Sequence, residues 1–104
     1  MSKPIRTNPF ADEEIFTHIR HYAARSVNLG VRLWDEVQGA FKLISEHPLI
    51  GEVVPRARVR GAARRIPLRR FPLFVIYRDH DDYIGVMALA HTSRKPNYWR
   101  ARFN

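Results

Sequence analysis

The sequence predicts an α+β fold: an N-terminal edge strand, a helical hairpin, then a three-stranded antiparallel meander. Three observations carry that prediction. Apolar residues recur at helical spacing twice before Pro48, first as Ala11, Ile15, Ile19 and Tyr22, then as Leu33, Val37, Ala40, Phe41 and Ile44. Beyond Pro48 the spacing changes to short runs rich in Val, Ile, Phe and Tyr, roughly 63–68, 73–78 and 83–90. Helices grouped ahead of strands pack as two layers, a hairpin on an antiparallel sheet.

Each element has its own reason. Lys3 to Thr7 is short and reads as an edge strand. Asn8-Pro9 starts the first helix, because Asn caps free N–H groups and Pro needs no donor in the first turn. Asp12, Glu13 and Glu14 follow, where negative charge suits the helix dipole, and they read as dipole and solubility residues. Ser26 caps a second helix running to about His47, and Pro48 ends it. Gly30 and Gly39 inside that helix each cost about 1 kcal/mol relative to Ala, a cost that close approach of the two helix backbones would offset. Trp34 lies about 100° around from Leu33, at the margin of the stripe.

Residues 48 to 62 read as the one long irregular segment, punctuated by Pro48, Gly51, Pro55 and Gly61. Leu73-Phe74-Val75-Ile76-Tyr77 is apolar on both faces and belongs at the centre of the sheet. Asp79 to Asp82 makes a tight polar turn. From Tyr83 to Ala90, Ile84, Val86, Ala88 and Ala90 alternate against Tyr83, Gly85, Met87 and Leu89. That strand runs into His91-Thr92-Ser93-Arg94-Lys95-Pro96-Asn97-Tyr98-Trp99-Arg100, where cations and aromatics replace the apolar pattern.

Composition narrows the function classes. A chain of 104 residues is expected to form one domain, 1–104, burying roughly two thirds of its unfolded surface. Its 45% hydrophobic content supports a packed globule. It has no cysteine, which excludes disulfide and thiolate zinc chemistry. No apolar run approaches the ~20 residues of a membrane span, and no leader opens the chain, so a cytoplasmic protein is expected. Residues 1 to 52 carry six cations against seven acids, a net −1, whereas residues 53 to 104 carry twelve cations against three acids, a net +9. All but one of those twelve are Arg, suited to bidentate contact with phosphate or carboxylate. Charge segregated in this way points to an acidic or polyanionic partner.

Chemical motifs are sparse. His18 and His21 stand three apart on the first helix without a third ligand nearby, so no metal is expected. There is no glycine-rich phosphate loop or nucleophile elbow, and no cofactor is expected. His91 with Arg94 and Tyr98 is the one constellation with possible chemistry: a proton shuttle, a phosphate stabiliser and an orienting phenol. The plainer reading, in which His91 closes the last strand by bonding to backbone, is preferred.

Several segments resemble the RelE/ParE toxin superfamily of type II toxin–antitoxin systems, in the same order and over nearly the whole chain. They are Ala11-Asp12-Glu13-Glu14-Ile15 with Ile19 and Tyr22, His47-Pro48-Leu49-Ile50-Gly51, Arg64-Arg65, Phe74-Val75-Ile76-Tyr77-Arg78, and Ala90 to Trp99. The ending is similar to that of ParE-type members. The resemblance implies a two-layer sandwich and a cognate ParD-like antitoxin whose C-terminal segment wraps the toxin, with operator DNA reached only through that antitoxin. It also implies one of two activities. ParE-like members poison DNA gyrase without catalysis, whereas RelE-like members cleave messenger RNA on the ribosome. RelE-like sites usually combine Lys, Arg and Tyr, and here Lys95 is the one lysine in the sheet half. That departure, with the Pro-x-Tyr-Trp ending, favours the ParE type and no catalytic residues. A ribonuclease would use Arg65, His91, Arg94 and Tyr98.

Within that reading, Arg56, Arg58, Arg60, Arg64 and Arg65 form the densest positive stretch and are expected to receive acidic antitoxin side chains. Phe16 and Trp34 are expected to anchor an antitoxin helix. Arg94, Lys95, Tyr98, Trp99, Arg100, Arg102 and Phe103 are expected to engage the target, with residues 94 to 104 contributing little to the core.

Overall fold

Asn8 starts the first helix as its chemistry requires: its side-chain oxygen accepts the Phe10 N–H at 2.9 Å. In a computed structural model, residues 2–59, 61–95 and 98–103 are described, with backbone alone for 56–59, 61, 62 and 103. The elements are β1 (Ile5–Thr7), α1 (Pro9–Arg25), α2 (Val27–Glu46), β2 (Glu52–Val59), β3 (Gly61–Pro67), β4 (Leu73–Asp79), β5 (Ile84–His91) and a 3-10 turn (Arg100–Phe103). The strands form one mixed sheet in the order β1-β5-β4-β3-β2. β1 runs parallel to β5, and the other pairs are antiparallel.

The α+β prediction holds, with β4 central and β1 at an edge. One segment differs. Most of 48–62, read from its Pro and Gly as irregular, is strand β2. β2 lies at the sheet's other edge, where a Pro removes no ladder bond that the sheet needs. Its pairing with β3 also shifts register between Val53 and Arg58.

Ser26 alone joins the helices. Its N–H bonds the Tyr22 carbonyl at 3.0 Å to finish α1, and it stands at the cap position of α2 without a side-chain cap bond. So tight a join presses the helices together at Gly30, where an added Cβ would come within 2.8 Å of the Ala23 Cβ. Close approach therefore accounts for Gly30. Gly39 meets nothing within 4 Å and has no packing reason.

Apolar side chains pack on both faces of the sheet. Ala11, Ile15, Leu33, Val37 and Ile44 of the hairpin pack on Leu73, Val75, Tyr77, Ile84, Val86 and Leu89. On the opposite face Val54, Ala63, Ile76, Ala88 and Ala90 pack with Trp99. β5 does not keep the simple alternation read from its sequence. Ile76 pairs with Ala88 but Tyr77 with Val86, so Met87 is bulged out. An inserted residue reverses the pleat, and Ile84 and Val86 thus share the helix side with Leu89, while Ala88 and Ala90 face the other way.

The Tyr77 phenol pins the connection between α2 and β2. It donates to the Pro48 carbonyl and accepts the Gly51 N–H, each at 2.8 Å. Burial raises the pKa of this phenol, so it stays protonated as a donor. A Cβ on Gly51 would stand 2.6 Å from the phenol oxygen, which is why glycine occupies that position.

Candidate functional site

The strand-to-tail junction is where chemistry collects. β1 is three residues long and covers β5 through Val86. Beyond that point the backbone edge of β5 is closed by other means. The Asn8 N–H bonds the Val86 carbonyl at 2.8 Å, and Arg102 donates to the Met87 carbonyl at 3.1 Å. Glu14 accepts the Leu89 N–H at 3.3 Å, and His18 Nε2 lies 3.2 Å from the Leu89 carbonyl. An open edge strand invites pairing with another chain, and side chains of α1 and the tail block it here.

Glu14 sits at the centre of this closure. Its Oε2 accepts the Tyr98 phenol at 2.5 Å, and its Oε1 pairs with Arg102 Nη1 at 2.7 Å. The side chains of Glu14 and Arg102 are only 18% and 16% exposed, so the pair is weakly screened. Burial, then the bond to Glu14, drives the Tyr98 pKa well above its ordinary value. The guanidinium groups of Arg94 and Arg102 stand over the Tyr98 ring at 4.0 and 5.2 Å.

His91 ends β5 and holds the turn that follows. Its Nδ1 accepts the Ser93 N–H at 3.1 Å, and its carbonyl accepts the Arg94 N–H at 2.9 Å. This is the plain role expected from the sequence. With Nδ1 accepting, the neutral ring carries its proton on Nε2. His91, Arg94 and Tyr98 form a ridge shared by two concavities. One, of about 280 Å³, lies against α1 beside Glu13, Glu14 and His18. The other, of about 90 Å³, lies on the helix-free face of the sheet beside Arg65, Phe74 and Lys95.

The remaining predicted residues are dispersed. Phe16 and Trp34 are exposed on α1 and α2, at 54% and 45%. Arg64 and Arg65 are neighbours on β3 and so project to opposite faces. Arg64 donates to the carbonyls of Gly51 at 2.8 Å and Leu49 at 3.3 Å. Arg65 pairs with Glu52 at 2.7 Å and covers the Phe74 ring at 4.9 Å. Arg56 and Arg58 are backbone positions of β2, their side chains lying outside the described residues, as does all of Arg60. The arginine run is therefore not one patch, because Arg64 and Arg65 divide it between two faces.

In the tail, Arg94, Lys95 and Arg100 are exposed, Tyr98 and Arg102 half-buried, and Phe103 lies in the 3-10 turn. Trp99 is 3% exposed. The expectation that residues 94 to 104 contribute little to the core is thus corrected: Trp99 completes the second apolar cluster, and Arg102 is tied to α1. Glu14, read from the sequence as a dipole and solubility residue, is corrected to the centre of this closure, bonded to Tyr98, Arg102 and the Leu89 amide. Helical spacing places Phe10, Glu14 and His18 on one face beside the apolar stripe. No local signal links Glu14 to partners 84 and 88 residues away.

His18 supplies a pH dependence. Its pKa is lowered, first by burial, against the Leu89 carbonyl and Glu14, while His91 and His21 lower it further. The folded state then binds fewer protons than the unfolded chain below about pH 6.5. Stability is expected to fall as pH drops from about 6.5 through the folded pKa, and to level off beneath it. Melting temperature against pH checks this. His18→Gln should flatten the descent, leaving the contribution of His80, whose pKa is lowered by burial and Arg78. An unchanged curve in His18→Gln excludes this assignment. Among the described residues no group of three or more His, Asp or Glu lies together as a metal site, and no helix is long and apolar enough to cross a membrane.

Residues 5–96 match a family model described as "ParE toxin of type II toxin-antitoxin system, parDE". Among solved structures, the chain is similar to one titled "Chromosomal ParDE TA system from P. aeruginosa", with a TM-score of 0.70 and 15% identity. That alignment covers 86% of this chain and 96% of the other. At such identity the likeness concerns the fold. No curated protein matches the sequence.

Proposed function

The chain belongs to the ParE toxin family of type II toxin–antitoxin systems, and we propose that it is neutralised by a ParD-like antitoxin and, when free, poisons DNA gyrase without catalysing a reaction itself. The observation that carries the non-catalytic reading is the engagement of Tyr98 with Glu14. RNA cleavage through a 2′-hydroxyl needs a group that takes a proton and another that gives one. The Tyr98 phenol is committed to a carboxylate and its pKa is raised, and Arg65 is paired with Glu52. His91 Nδ1 is occupied by the Ser93 amide, so that the ring can donate at Nε2 but has no free nitrogen to take a proton. That engagement argues against the ribonuclease alternative built on Arg65, His91, Arg94 and Tyr98.

For neutralisation, the exposed rings of Phe16 and Trp34 support docking of an apolar antitoxin segment on the hairpin. The arginines of β2 and β3 support an acidic one. For the target, the exposed Arg94, Lys95 and Arg100 are the contact residues, whereas Tyr98, Trp99 and Arg102 hold the tail in shape.

The test sets the two targets side by side. With gyrase, ATP and plasmid, the purified protein is expected to accumulate broken DNA. With ribosomes and messenger RNA, it is expected to leave the message intact. Cuts at defined codon positions, reduced at least about a hundredfold by Arg94→Ala, would establish the ribonuclease instead.

A further inference from the structure

We propose that the groove on the helix-free face of the sheet is a contact site for the phosphodiester backbone of duplex DNA, available to the protein without gyrase. The groove lies between β3, β4 and the tail, and its described lining supplies Arg65, His91, Arg94 and Lys95 but no carboxylate. The neighbouring cleft against α1 is different in charge, since Glu13 and Glu14 line it with Arg94 and Arg102. An anion is therefore drawn to the sheet side.

The donors are suited to phosphate oxygens. The Arg94 guanidinium stands over the Tyr98 ring at 4.0 Å, which holds its charge at the groove, and it has no carboxylate partner among the described residues. His91 accepts at Nδ1, so its Nε2–H is a donor. Lys95 is exposed beside them. Arg65 is held by Glu52 at 2.7 Å and contributes a fixed rather than a mobile charge. A cavity of about 90 Å³ has room for a phosphate group.

The aromatic residues decide between backbone and base recognition. Readers of single strands need ring faces open to unstacked bases. Here Phe74 carries the Arg65 guanidinium at 4.9 Å, and Tyr98 carries those of Arg94 and Arg102. Both rings also pack against the Trp99 cluster. With these stacking surfaces taken, the groove recognises charge and spacing and ignores sequence.

Salt-dependent binding tests this. Anisotropy of a labelled mixed-sequence duplex is measured with the full chain over a salt series, with gyrase absent, so that the gyrase reading stands on its own assay. The wild type is expected to bind with a steep inverse dependence on salt. Arg94→Ala/Lys95→Ala should weaken binding equally across sequences and reduce the salt slope by about 2, near 0.9 for each lost phosphate contact. Arg94→Lys should retain most of the slope. Arg20→Ala/Arg32→Ala removes the same charge from the exposed helix surface and should leave the slope unchanged. Equal losses in both double variants would overturn the proposal. So would tighter binding of a single strand than of the duplex, or groove-dependent binding of polyglutamate without binding of DNA.

Discussion

Trp99→Ala is expected to lower the free energy of unfolding by about 4 kcal/mol. The residue follows a strand end and a Pro-Asn pair, and it carries charged neighbours, yet it is 3% exposed. Its slot is made by small side chains: Ala63, Ala88 and Ala90 leave room above the sheet, and Val54 and Ile76 wall it. Removing the indole leaves a space beside Ala63, Ile76, Ala88 and Ala90, whose backbone is held by the ladder and cannot collapse into it. The transfer and cavity costs therefore add. Urea unfolding measures the loss, with Lys95→Ala, on the exposed side of the tail, as a reference expected within about 0.5 kcal/mol of wild type. A Trp99→Ala protein as stable as wild type would show that the ring does not fill this slot.

Glu14→Ala comes next, with an expected loss of about 3 kcal/mol. The carboxylate is the shared acceptor for Tyr98, Arg102 and the Leu89 amide. Deleting it leaves a half-buried guanidinium without its counter-charge and two donors without an acceptor. Glu14→Gln should lose less, because an amide oxygen still accepts while the charge attraction goes. The Arg65–Glu52 pair is the useful contrast. Its side chains are 33% and 66% exposed, so breaking it should cost no more than about 1 kcal/mol. Limited proteolysis adds a second reading, since Glu14→Ala should expose the 3-10 turn to cleavage ahead of the sheet. If both Glu14 variants unfold at the wild-type urea concentration and resist protease equally, the tie between α1 and the tail is energetically idle.

Much of the fold was legible because its causes are local. Asn8-Pro9 starts a helix, Pro48 ends another and Leu73 to Tyr77 forms a central strand, each for reasons found within a few residues. β2 was not legible, because Pro55 and flanking glycines look irregular unless the strand is known to lie at an edge. The reversal of facing in β5 was hidden too, since a bulge at Met87 exists only relative to the register of β4. Of the candidate site, His91, Arg94 and Tyr98 were found by their residue types and spacing, and they do share one ridge.

By itself the sequence determined the element order, the stripe of each helix, the central position of β4 and the concentration of cations in the second half. Only the tertiary structure decided what the tail is. Short β1 leaves part of the β5 edge uncovered, and unpaired backbone groups there need partners. Glu14, His18 and Arg102 meet that need, which draws the tail back across the molecule and lowers Trp99 into the alanine slot. The contacts of Glu14 with Tyr98 and Arg102, 84 and 88 positions away, depend on the sheet that brings them together, so no periodicity within the chain could have announced them.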